Sequence, residues 1–205
     1  MNYVYRFIFF AAMLLTVSCV RHDVRVTMEP VPRPAGLHFG EFFLETPVDN
    51  RIEPHVIGLI YDRSGKVNKK YYIADSQRLS LLLKTFAEQT INGVGFVLTD
   101  GPFGKPVMSV SINEFILTNA ETVDNNNSFE NAGLPVLNVD VLFTLTKGDK
   151  MVWQFHFIES RSISNLANND STEIEQIIST VLVRLFSDLS SKIRQRGFVD
   201  NIDKE

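Results

Sequence analysis

Cys19 is the only cysteine in the chain, so no internal disulfide can staple the fold and its core must hold by packing alone. A chain of 205 residues can bury enough apolar surface for that. The thiol closes a short apolar run, Phe7-Ile8-Phe9-Phe10-Ala11-Ala12-Met13-Leu14-Leu15-Thr16-Val17-Ser18, behind a positive start made by Arg6 and the terminal amine. That run falls short of the roughly 20 residues that cross a bilayer and has the length of the apolar part of a secretion signal. Small Ser18 leaves a peptidase an uncluttered backbone to cut, and the Cys19 thiol can take a lipid. The competing readings are a lone core cysteine and an uncleaved N-terminal anchor.

Leu15-Thr16-Val17-Ser18-Cys19 resembles the lipobox of bacterial lipoproteins, with Thr16 where that family usually has Leu. The resemblance implies cleavage before Cys19, a diacylglyceryl group on its sulfur and acylation of the new amine. Two or three acyl chains, at about 0.8 kcal/mol per buried CH2, anchor a domain firmly. Val20 and Arg21 follow the cysteine, where lipoproteins kept in the inner membrane commonly carry Asp, so the resemblance implies the periplasmic face of the outer membrane.

The chain then divides into a signal over 1–18, a lipidated cysteine with a proline-rich tether over 19–36, an α+β periplasmic domain over 37–197 and a C-terminal tail over 198–205. Pro30, Pro32 and Pro34 favour an extended spacer, which serves as a reach segment or as a plain linker. No later apolar run is long enough to span a membrane. A net charge of -4 and a sequence pI near 5.6 lack the basic bias that phosphate backbones select, so nucleic acid is not an expected partner.

Period-two alternation predicts strands. Leu37 to Leu44 reads as one, and His55 to Tyr61 with Lys66 to Ile73 as a hairpin across Asp62-Arg63-Ser64-Gly65. Ser76 offers a cap for a helix with Leu79, Leu82, Leu83, Phe86 and Ala87 on one face, ended by Asn92-Gly93. Val94 to Leu98 follows as a short strand. Met108, Val110 and Ile112, then Leu137 to Leu145, then Met151, Trp153, Phe155 and Phe157, alternate as an antiparallel meander. Asp170 and Glu173 resemble a capping box for a helix whose stripe runs from Ile174 to Leu189. Strands grouped between two helices predict an α+β fold, an antiparallel sheet with two packed amphipathic helices. Asn119 to Pro135 is a long polar loop, a class that is often functional or disordered.

Asp49-Asn50-Arg51 ahead of Ile57-Gly58, then the helix and Gly95-Phe96-Val97, resembles the YajG-like family of small bacterial lipoproteins over about residues 39 to 193. That family has a D-x-R stretch, an I-G pair, an amphipathic helix and a G-[FY]-x-V strand in this order. The outline is also similar to the auxiliary lipoproteins of ABC-type lipid transporters and to the lipopolysaccharide-assembly lipoprotein. The resemblance implies no enzymatic activity. His22, His38, His55 and His156 are scattered without metal-ligand spacing, and no nucleophile elbow, phosphate loop or dinucleotide fingerprint is present, so neither metal nor cofactor is expected.

The expected function is a non-catalytic outer-membrane lipoprotein that binds another envelope component, or an auxiliary protein of lipid or lipopolysaccharide transport with a lipid ligand between last helix and sheet. The 16 phenylalanines motivate the second reading. Asp49 and Arg51 share a strand face and bind a polar ligand, form a local ion pair or fix a turn. Leu142, with Val152 and Ile158 beside Asn138, Asp140, Gln154 and His156, lies either on a docking face or under a helix.

Overall fold

The computed structural model describes residues 22–26, 38–62, 64–74, 78–119, 134–163 and 171–203. The signal, Cys19, the proline spacer, the Ser76 and Asp170 caps and most of the 119–135 loop lie outside these residues.

The frame is a meander of three long strands, β7 (Val107–Thr118), β8 (Val136–Lys147) and β9 (Lys150–Ser162). Their pairing is antiparallel, and Leu137, Val139, Val141, Phe143 and Leu145 all point into the core, as the alternation predicts. β7 carries a bulge at Asn113, between the pairs Ile112↔Val141 and Glu114↔Asp140. One extra residue shifts the inward phase from even to odd positions, so Ile112 and Phe115 are both fully buried.

Along its other edge β7 is met in succession by β2 (Glu41–Leu44), β3 (Val48–Asp49) and β4 (Val56–Tyr61), all parallel to it. β4 turns back as a hairpin into β5 (Val67–Ile73), and β6 (Val97–Leu98) lies parallel to β2. The fold class is α+β. Its sheet is mixed rather than wholly antiparallel, because the segments before the hairpin and the long strands after it run the same way. The first and fourth expected strands are also shorter than read.

The expected tether and tail both belong in part to the domain. β1 (His22–Val24) pairs parallel with β5, and Val24 and Val26 are 0% and 2% exposed. The described part of the chain therefore begins with a strand of the sheet, three residues after Cys19. At the other end, α1 (Leu79–Gly93) and α2 (Ser171–Ile193) are followed by a third helix, α3 (Arg196–Asp203), in place of a tail. Its Phe198 is fully buried.

The helices cover one sheet face. Phe198 meets Phe42, Phe96 and Trp153 at ring distances of 5.9, 5.3 and 4.8 Å, while Phe86 of α1 meets Phe186 of α2 at 5.8 Å. These rings fill the layer between helices and sheet, so many of the phenylalanines are accounted for by core packing. None of the described helices is long and apolar enough to cross a membrane.

Candidate functional site

Asp49 and Arg51 stand where the chain leaves β3 and swings out before rejoining the sheet as β4, opposite the β7 bulge. Both Asp49 oxygens accept from Arg51, at 2.8 Å from Nε and 2.7 Å from Nη2. Nη1 donates to the carbonyls of Val56 and Phe115, each at 2.9 Å, and Nη2 to that of Pro54 at 2.6 Å. A guanidinium has five N–H donors, and the chain itself occupies all of them. With side chains only 7% and 12% exposed, Arg51 and Asp49 close a gap in the sheet.

The other motif residues also serve the frame. Gly58 lies between Tyr71 and Leu117, and a Cβ there would stand 2.9 Å from the Tyr71 ring and 3.3 Å from Leu117 Cβ. Gly95 has φ +100°, a conformation that lets the chain turn out of α1 and drive Phe96 into the core.

Among the described residues, nothing covers the face opposite the helices. Cross-strand register aligns Ser109, Thr144 and Gln154 in one row, Ser111, Leu142 and His156 in the next, then Glu114, Asp140 and Ile158, then Ile116 and Asn138 with Ser160. Leu142 is half-buried there and Ile158 is 66% exposed. His156 Nε2 lies 2.8 Å from Asp140 Oδ1, and that hydrogen bond runs along one diagonal of the square whose other corners are Leu142 and Ile158. Asn113 Nδ2 donates to the same carboxylate oxygen at 3.0 Å, and Asn50 Nδ2 donates to Asn113 Oδ1 at 3.2 Å. A polar chain thus crosses from the excursion after β3 to β9 and is flanked by two apolar side chains. Val152, expected beside them, is instead the extra residue of a β9 bulge and packs on the core. Met151, read as an inward residue, is 56% exposed at the end of that bulge.

Beside the polar chain lies a groove of about 400 Å³ lined by Ile52, Glu53, Val56, Leu59, Phe115 and Ile116, among others. Ile52 is fully exposed at its rim. Glu53 bonds the Lys70 ammonium at 2.6 Å, which raises the lysine pKa above its ordinary value. Among the described residues no group of three His, Cys, Asp or Glu side chains could hold a metal ion.

No family model matches the chain, and no curated protein sequence matches it. Solved structures do. A crystal structure of protein XCC0632 from Xanthomonas campestris, of the DUF330 family, superposes at a TM-score of 0.57 with 13% identity, covering 88% of this chain and 98% of that one. The likeness is one of fold. A second, uncharacterised protein superposes at 0.53 with 9% identity over 84% of this chain and 99% of its own. A minor lipoprotein from Acinetobacter baumannii reaches 0.35 with 10% identity over 72% and 94%, too low a score to carry argument.

Proposed function

We propose that this chain is a non-catalytic lipoprotein of YajG-like kind, held by lipid on Cys19 at the periplasmic face of the outer membrane, whose open sheet face docks another envelope component. The observation that carries the docking reading is the arrangement of Leu142 and Ile158 on either side of the Asp140–His156 bond, on the sheet face that the helices leave open. A polar centre flanked by apolar side chains offers both burial and direction to a partner. The non-catalytic reading is supported by the use of Asp49 and Arg51 in closing the sheet. Two experiments test it. Cys19→Ala should release the protein from the membrane fraction and abolish fatty-acid labelling; unchanged fractionation removes the anchor. A photo-crosslinker at Leu142 should give a partner-sized adduct that Ile158→Asp abolishes in a folded protein, and no adduct removes the docking face.

The groove at Ile52, Leu59 and Ile116 favours a second reading, an auxiliary protein of lipid or lipopolysaccharide transport that holds an acyl chain there. Native mass spectrometry of Cys19→Ala protein purified from cells decides between them: co-purifying lipid lost on Ile52→Asp supports carriage, and lipid-free protein excludes it.

A further inference from the structure

We propose that the tip of the β4–β5 hairpin rests on the membrane that holds the anchor, with its lysines against anionic phospholipid headgroups. Residues 63–70 carry four cations, Arg63, Lys66, Lys69 and Lys70, and no carboxylate, in a chain whose net charge is -4. A basic cluster beside a lipid anchor is drawn to an anionic leaflet, each Lys or Arg near the surface strengthening the contact about fivefold. Lys70 is already paired with Glu53 on the sheet. Lys66 is exposed and Lys69 partly so, and between them Val67 is 50% exposed, an apolar side chain set among cations. The tip is also braced. Asn119, 8% exposed, accepts from the Tyr61 amide at 2.8 Å and donates to the Tyr61 carbonyl at 3.0 Å, which continues the β4–β7 ladder past its last pair, Leu59↔Thr118. Asp62 accepts from the Ser64 hydroxyl and the Lys66 amide, which fixes the turn. The hairpin therefore runs past the end of β7 as a held two-stranded ribbon.

The choice of a lipid surface rests on the lipid-anchored reading above. β1 runs parallel to β5 from the pair His22↔Tyr71, so His22 is the end of β1 nearer to the hairpin tip. Three residue steps from Cys19 to His22 reach at most about 11 Å. Val67 lies four steps along β5 from Tyr71, about 13 Å. Tether and ribbon are of similar reach, and a bilayer that holds an acylated Cys19 is within range of the tip. The long strands extend the other way. Leu137 is level with Tyr71 through Leu117 and Gly58, and Trp153 pairs with Leu145, eight residues farther along β8. With the tip on the headgroups, the face around Leu142 stands side-on to the bilayer and stays accessible to its own partner.

Quenching by brominated lipid tests this on the acylated full-length protein. Asn68→Cys, at an exposed position between the two lysines in sequence, is labelled with a small thiol-linked fluorophore and reconstituted into brominated vesicles of phosphatidylethanolamine and phosphatidylglycerol. The label should lose about half its emission as the tip meets the anionic surface. Trp153, the only tryptophan, lies roughly 40 Å farther along the strands and should keep its own emission. Lys66→Glu with Lys69→Glu should restore the label's emission without moving the unfolding midpoint. A label that stays bright in these vesicles, quenching that survives the charge reversal, or equal quenching in phosphatidylcholine vesicles overturns the proposal. The number of labels separates this contact from the anchor beneath it, because an acylated Cys19 leaves one reactive thiol in the variant and a free Cys19 leaves two. Two labels, or protein that does not float with the vesicles, sink the anchored reading and with it the choice of surface. One label that stays bright on floating protein sinks the hairpin contact alone.

Discussion

The guanidinium of Arg51 donates to the carbonyl of Phe115, 64 residues away in sequence, at 2.9 Å, across the opening between the β3–β4 excursion and the bulged part of β7. An arginine here takes the place of strand pairing, satisfying carbonyls that would otherwise be buried without donors. Its removal also strands the Asp49 carboxylate. Arg51→Ala should therefore lower unfolding stability by about 3–5 kcal/mol, and Arg51→Lys should recover little of it because an ammonium cannot reproduce the planar fork. Urea unfolding followed by circular dichroism checks both; a loss under about 1 kcal/mol would place the pair among ordinary surface bridges.

Gly58 is held by space rather than by turn geometry. A methyl at this position meets the Tyr71 ring at 2.9 Å and Leu117 Cβ at 3.3 Å, and both neighbours are core residues, each 1% exposed. Gly58→Ala should cost about 1–3 kcal/mol by overpacking. Thermal unfolding of the variant measures it, and an unchanged midpoint would mean that β5 yields without strain.

Acid should weaken the β4–β5 turn. The Asp62 carboxylate accepts from the Ser64 hydroxyl at 2.6 Å, the Lys66 amide at 3.1 Å and the Ser64 amide at 2.8 Å, and these bonds hold its pKa below the ordinary carboxylate value. A depressed folded-state pKa contributes stability that is present above the unfolded value and is lost as pH falls through the folded one. From about pH 5 downward part of the stability loss should belong to this group, and Asp62→Ala should flatten the slope of melting temperature against pH in that range. Parallel slopes for wild type and variant would rule the turn out as a contributor.

The long elements were legible because each repeats one signal many times. Leu137 to Leu145 alternates over nine residues, and the stripe from Ile174 to Leu189 recurs over several turns, so local pattern and burial agree. Short elements carry less signal than their surroundings. Val24 and Val26 alternate with Asp23 and Arg25, a true strand pattern, but three residues of β1 cannot outweigh the proline-spaced stretch that follows. The bulge at Asn113 reverses the inward phase within one strand, which no fixed period can express. For the candidate site, alternation correctly set Leu142 and Ile158 on one face. It could not tell an open face from one under a helix, nor find the hydrogen bond from Asp140 to His156, because both depend on how distant elements meet.

The last helix was missed for the same reason, and it carries the sharpest test. Phe198 sits on the third residue of α3 and is fully buried against Phe42, Phe96 and Trp153, closing the end of the core near β6 and the start of β9. Phe198→Ala should cost about 3–5 kcal/mol, the usual range for losing a buried ring, and Phe198→Leu should recover part of that. Trp153 is the only tryptophan in the chain and lies 4.8 Å from the Phe198 ring, so its fluorescence reports the site directly. In the alanine variant the emission should shift to longer wavelength in the folded protein at low urea, before the main unfolding step, as water reaches the half-buried indole. Emission and unfolding midpoint both unchanged from wild type would show that residues 196–203 contribute nothing to the core and behave as a tail after all.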